Sequence, residues 1–404
     1  MTDKTMPALR FRGFYDAWEQ RKLSNISERV TRKNKNNEST LPLTISAQDG
    51  LVDQNDFFNK QVASRDVTGY FLVKNGEFAY NKSYSNGYPW GAIKRLDKYD
   101  MGVLSTLYIV FRPTDINSQF LVSYYDTTRW YREVSKNAAE GARNHGLLNI
   151  APTDFFNTLL IVPKLVDEQE KIGAFFKQLD NSITQNEQKT RLLKQLKQAY
   201  LQKIFSQELR FAGFSDTWEQ RKLGEFSDVR DGTHASPKYI SWGHPMVTSK
   251  NLTHSGLDMT DVAFLNDEDF NEINKRSKVG IGDILFGMIG TIGNPVIVDR
   301  DDFAIKNVAL IKEKSSNSII NRWLLQYLKS PAFNRFIQKE NAGGTQKFIA
   351  LGLIRDMKLK VPELAEQQKI GSFFKQLDNL ITLNQQKLNL LKKQKQAFLQ
   401  KMFI

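Results

Sequence analysis

Cysteine is absent from all 404 residues, so the chain has no disulfide, no thiolate metal ligand and no cysteine nucleophile. Histidine is nearly as scarce. The four residues His145, His234, His244 and His254 share no helical ligand spacing, which argues against a metal site. No run approaches the roughly 20 apolar residues of a membrane span. Residues 1–6 lack the apolar core of a secretory signal, and a cytoplasmic location is expected. There is no phosphate-binding Gly-Lys-Ser/Thr loop, and Gly287, Gly290 and Gly293 read as turn residues rather than a dinucleotide fingerprint. Amino-methylating enzymes place an Asn-Pro-Pro-aromatic or Asp-Pro-Pro-aromatic tetrapeptide beside the target base. The nearest approach here, Gly293-Asn294-Pro295-Val296, lacks the aromatic. No catalytic centre is visible, and the chain is expected not to be an enzyme.

What the sequence does have is a repeat. Leu9-Arg10-Phe11 and Trp18-Glu19-Gln20-Arg21-Lys22-Leu23 return as Leu209-Arg210-Phe211 and Trp218-Glu219-Gln220-Arg221-Lys222-Leu223. Lys171-Ile172-Gly173 and the block from Phe175 to Asn181 return as Lys369-Ile370-Gly371 and the block from Phe373 to Asn379. Between these shared blocks the halves look unrelated. A repeated frame around different inserts is the mark of one scaffold carrying two separate heads. The reading is therefore four segments: a variable domain at 1–165, a helix at 166–207, a second variable domain at 208–364 and a second helix at 365–404. Trp18 and Trp218 are candidates for partner docking or for packing of domain on helix.

The shared segments carry the seam of a coiled coil. Ile172, Phe176, Leu179, Ile183, Asn186, Thr190, Leu193, Lys197, Tyr200 and Ile204 step by alternating four and three, and Ile370 to Met402 keep the same steps. Pro163 and Pro362 lie just upstream, where each would end a preceding strand. Asn186 and Asn384 sit near the middle of each seam. A polar residue there costs stability but fixes register; the alternative is that each faces solvent at a bend. Pairing the helices antiparallel would relate the halves by a near two-fold axis and send the variable domains to opposite ends. The variable regions read as mixed α and β: a strand over 102–111, two strands around a glycine turn over 283–298, and helical spacing over 321–338. The fold class expected is α+β, two mixed domains joined by two long antiparallel coiled-coil helices with an internal pseudo-two-fold repeat.

Lysine and arginine number 57 against 44 acids, a formal net charge of +13, which favours a polyanion partner. Candidate DNA-binding residues fall in basic and aromatic clusters of expected loops. In the first half these are Arg129 and Arg132, with Arg143, Asn144 and His145. In the second half they are Thr233, His234, Lys238, Lys250 and Asn251, with Thr345, Gln346 and Lys347. Arginine, lysine, asparagine, glutamine and histidine read base edges, while threonine and lysine also hold phosphates. Ordinary solvated loops would have the same composition.

On these residues the chain resembles the specificity subunit of a type I restriction–modification enzyme. The resemblance rests on the repeated Trp-Glu-Gln-Arg-Lys-Leu blocks and on the helix starts Glu168-Gln169-Glu170-Lys171-Ile172-Gly173 and Glu366-Gln367-Gln368-Lys369-Ile370-Gly371. Asp231-Gly232-Thr233-His234, Asp283-Ile284-Leu285 with Gly290-Thr291-Ile292-Gly293, and Gly344-Thr345-Gln346-Lys347 add to it. It implies two target-recognition domains, each reading half of a split double-stranded DNA site, with the helices setting the gap. It also implies two modification subunits that use S-adenosylmethionine to methylate adenine. Restriction subunits that use ATP and Mg would complete the assembly. No cofactor is then expected in this chain, and no membrane partner. A stand-alone nuclease or methyltransferase, and a coiled-coil adaptor that binds no DNA, are the competing readings.

Overall fold

A computed structural model describes residues 6–83, 87–138, 148–254, 256–314, 320–340 and 348–404. The chain divides into two compact units. The first comprises Met1–Asn186 with Lys387–Ile404, and the second Glu187–Gln386. Among the described residues no helix is long and apolar enough to cross a membrane.

In the first unit, strand β1 (Glu19–Lys22) leads through a helical turn (Leu23–Ile26) into β2 (Ser27–Val30). Then follow β3 (Phe78–Asn81), β4 (Ala92–Arg95), β5 (Ile109–Pro113), helix α1 (Ser118–Tyr125), α2 (Tyr131–Asn137), β6 (Leu159–Val162) and α3 (Val166–Phe205), which belongs to this unit up to Asn186 and to the second from Glu187. Strands β2 to β5 form one antiparallel sheet in the order β2-β5-β3-β4. Its period-2 pattern sends Phe78, Tyr80, Ile109 and Phe111 into a core shared with Trp18, Phe120, Phe176 and Phe403. The alternate residues Ala79 and Val110 enter a second core with Val30 and Leu43. The expected strand over 102–111 is in fact two: Met101–Leu104 pairs with Phe71–Lys74, and β5 joins the main sheet. The break is a turn in which Tyr108 N–H donates to Ser105 O at 3.2 Å.

The second unit repeats this plan with different side chains. Its elements are β7 (Glu219–Lys222), β8 (Ser227–Asp231), β9 (Ile284–Gly287), β10 (Gly293–Ile297), β11 (Val308–Glu313), α4 (Asn321–Leu328), α5 (Pro331–Glu340), β12 (Lys358–Val361) and α6 (Leu364–Met402), which belongs to this unit up to Gln386 and to the first from Lys387. The sheet order is β8-β11-β9-β10, all antiparallel, the same path as in the first unit. The helical stretch expected over 321–338 breaks between α4 and α5, because Pro331 has no N–H to continue the ladder.

The shared blocks build the joint between sheet and helix, and nearly every residue in them has a task. Arg10 donates from Nε and Nη2 to the buried Glu168 carboxylate at 2.5 and 2.7 Å, and Trp18 Nε1 donates to the same group at 3.4 Å. Arg210 and Trp218 hold Glu366 in the same way, at 3.1, 2.6 and 2.9 Å. Gln169 donates to Pro163 O and accepts from Asn117 N–H, and Gln367 does likewise with Pro362 and Ile320. Lys171 covers the Phe14 ring at 4.8 Å and Lys369 the Phe214 ring at 5.3 Å. A Cβ on Gly173 would lie 2.7 Å from Phe120 N, so glycine there lets α1 seat against α3. The indoles of Trp18 and Trp218 are buried, so packing is their role. β1 pairs with β6 and β7 with β12, each just ahead of a proline and a long helix.

Every seam position of α3 and α6 named above is buried or half-buried. Within each unit the two helices run antiparallel. In the first, Phe175 meets Phe398 and Lys395 binds Asp180 at 2.6 Å. In the second, Tyr200 meets Phe373 and Lys197 binds Asp378 at 2.5 Å. Asn186 donates to Ser182 O and Asn384 to Leu380 O, each one turn back along its own helix.

The capping position after α1 and α4 differs in charge. Asp126 in the first unit accepts from both Lys94 and Lys395 at 2.8 Å. Burial alone would lift its carboxyl, but the two ammonium groups hold it below the ordinary carboxylate range. Burial keeps Asp180 above that range, against the pull of Lys395. Lys329 takes the equivalent place in the second unit, where burial and then the nearby Lys197 push its ammonium down. Lys395→Met would leave Asp126 and Asp180 without their shared cation. The expected loss is about 3 kcal/mol at neutral pH. Both acids would then titrate higher in the folded state, so the loss should shrink as pH falls through about 4, near the unfolded carboxylate pKa. Urea unfolding of both forms at neutral pH and near that value checks the sign.

Candidate nucleic-acid interface

Each four-stranded sheet has two ends, and its hydrogen-bond register says which loops share one. β8 ends where β11 begins, Asp231 opposite Ala309, and β9 ends beside the same residues, Gly287 opposite Val308. Residues 232–243, 288–292 and 306–307 therefore leave the sheet together. The other end is tied to the scaffold, since Leu223 N–H donates to Met357 O and the Arg355 guanidinium to Val229 O.

The free end is cross-braced. Gly232 passes so close to Ile305 that a Cβ would lie 2.4 Å from its carbonyl oxygen. Thr233 N–H donates to Ile305 O, and its hydroxyl accepts from Ala235 N–H at 3.1 Å. The His234 ring lies between Asp231 Oδ2 at 3.0 Å and Asn307 Oδ1 at 2.8 Å, with half its surface open. Asp231 also binds Arg276. Asn307 holds a left-handed backbone, φ 58°, that asparagine tolerates. Lys306 Nζ donates to Ser236 Oγ at 2.9 Å. Lys238 and Tyr239 are exposed, and Trp242 is 80% exposed. Gly243, φ 147°, makes the turn past it, where a Cβ would strike Leu265 O at 2.2 Å.

Lys250 is exposed and paired with Asp261 at 2.8 Å. Its neighbour Asn251 requires a correction. It is buried, its oxygen accepts from Thr248 N–H, and its amide donates to the carbonyls of Asp258 and Asp261. Its polar atoms fasten this loop and do not face outward. Thr345, Gln346 and Lys347 lie outside the described residues. Phe348, which follows Lys347 in sequence, bridges to Ile289 at the hairpin tip, and Ile349 N–H donates to Met288 O at 3.0 Å.

The first unit is organised alike. Val30 pairs with Val110 and Tyr80 with Ile109, so residues 31–42, 82–83, 87–91 and 105–108 leave the sheet at one end. Leu148 N–H donates to Lys82 O at 3.0 Å, matching the Ile349–Met288 bond. Arg143, Asn144 and His145 lie outside the described residues. Arg129 is exposed, and its guanidinium donates to Gln400 O at 2.9 Å in the last turn of α6. Trp130 beside it is buried, and Arg132 is exposed on α2. Sequence reasoning missed Lys306 and Trp242 in the second unit. The run Ser241-Trp242-Gly243 after Lys238-Tyr239 is the signal that could have found the tryptophan.

Residues 215–393 match the family model described as the type I restriction modification DNA specificity domain. Two curated type I restriction enzyme specificity subunits of Methanocaldococcus jannaschii, named for MjaX and MjaVIII, are similar to this chain. They are 28% identical over 198 residues and 23% identical over 273. The matched stretches span 46% and 63% of this chain, and the same shares of the relatives' own length. The crystal structure of a type I restriction-modification system S subunit from M. genitalium shares the fold. Its TM-score is 0.62 at 16% identity, over 99% of each chain. Over these stretches the chain is similar to specificity subunits of type I restriction–modification systems, and it shares the fold of one of them.

Proposed function

We propose that this chain reads a two-part sequence in double-stranded DNA, each unit contacting one half-site through the free end of its sheet. One observation carries the reading: two sheets of identical strand order end in loops of unrelated sequence. A common frame with divergent tips is what two readers of different words require. Two half-sites at fixed spacing multiply discrimination that one short site cannot supply. The helix pair α3 and α6 would set that spacing, since a rigid rod holds a distance that a flexible linker lets fluctuate. The chemistry would lie on partners, two modification subunits carrying S-adenosylmethionine and restriction subunits using ATP and Mg.

The test is to co-express the chain with its modification subunit in a methylation-free host and map modified adenines. A two-part motif with a constant unspecified gap is expected. A single uninterrupted motif, or modification by this chain alone, would overturn the reading. Lys238 is assigned to phosphate, so Lys238→Ala in the assembled complex should weaken binding to all sequences alike. It should also reduce the slope of log affinity against log salt by about 1. An unchanged slope removes Lys238 from the interface.

A further inference from the structure

We infer that Lys35, Asn36 and Asn37 form the base-reading tip of the first unit, a site that rests on the DNA-reading function proposed above. The strand register places residues 31–42 where the second unit has residues 232–243. The tip is built rather than loose. Asn34 is fully buried; its oxygen accepts from Ser39 N–H at 3.1 Å and its amide donates to Ser39 O at 2.8 Å. Asn37 N–H donates back to Asn34 O at 2.9 Å, closing a tight turn, and Asn37 holds φ 53°. Asparagine is among the few residues that accept this conformation. The stem is fixed as well: Arg32 binds Glu77 at 2.7 Å, and Lys33 donates to Gly69 O while covering Phe71 at 4.4 Å.

Lys35, Asn36 and Asn37 themselves are exposed. An ordered turn that spends a buried asparagine to display a lysine and two amides suits recognition of a duplex groove. The asparagine amide pairs with adenine N6 and N7, and lysine with guanine or a phosphate. Preorganisation lowers the ordering cost of binding.

The experiment selects duplexes from a randomised library with the full chain assembled on its modification subunit. The triple variant Lys35→Ala/Asn36→Ala/Asn37→Gly keeps the backbone turn, since glycine accepts positive φ. Its preference should fall about 10-fold at positions of one half-site, with the other half-site and the gap unchanged. Asn36→Asp should shift a preferred base rather than erase it, because a carboxylate accepts from cytosine N4. Misfolding cannot produce such a shift. A wild-type motif from the triple variant, or flattening of that half-site by Arg132→Ala instead, overturns the inference. If the unmodified complex selects no two-part sequence, the DNA-reading function falls first and takes this site with it.

Discussion

Glu366→Leu is expected to destabilise the second unit by about 3–5 kcal/mol, one of the two largest effects anticipated for a single residue. Glu366 is fully buried and receives three donors, two from Arg210 and one from Trp218 Nε1. Removing the carboxylate leaves a largely buried guanidinium with the Asp216 carbonyl and the Trp218 ring as its remaining partners. It also leaves an indole N–H without its acceptor. The cost comes from the orphaned charge more than from the lost attraction. The double variant Glu366→Leu/Arg210→Met should therefore recover most of the stability. Urea unfolding followed by tryptophan emission measures both. A loss below about 1 kcal/mol would show that the pair is solvated like a surface salt bridge. Glu168→Leu should behave in parallel in the first unit.

Gly232→Ala is expected to cost both stability and discrimination at one half-site. Its backbone has no positive φ, so conformation is no obstacle, but the new methyl would meet the Ile305 carbonyl carbon at 2.6 Å and its oxygen at 2.4 Å. Those are backbone atoms between paired segments and cannot swing aside. The strand ends must separate, at about 1–3 kcal/mol. Thr233 and His234, braced against Ile305 and Asn307, should move with them. Discrimination at one half-site should drop by about 10-fold or more, with the other half-site untouched. Gly352→Ala is the control: its Cβ meets nothing within 4 Å, and it lies in the helix Leu351–Asp356. It should be neutral or stabilise by up to about 1 kcal/mol. Equal effects from the two substitutions would refute the steric argument.

The long helices were legible because their period is local: each seam residue predicts its neighbour four or three positions on. The joint blocks were legible because they recur. What the sequence left obscure depends on partners far along the chain. Arg129 looks like a free cation until Gln400 is seen beside it, 271 residues away. Asn251 looks like a loop amide until the carbonyls of Asp258 and Asp261 turn it inward. The common sheet order of the two variable regions was invisible as well. Short strands built of Phe-Ala-Tyr in one unit and Ile-Leu-Phe in the other share only the alternation of faces. The break at Pro331, by contrast, could have been read from proline chemistry alone.

The opposite charges behind α1 and α4 bear on how such chains could diversify by recombination. A crossover that carried Lys329 onto the first unit's helix pair, in place of Asp126, would set it beside Lys395, leaving Asp180 to balance two ammonium groups. Breakpoints should therefore spare the helix that bears the charge, or exchange it together with the seam it faces.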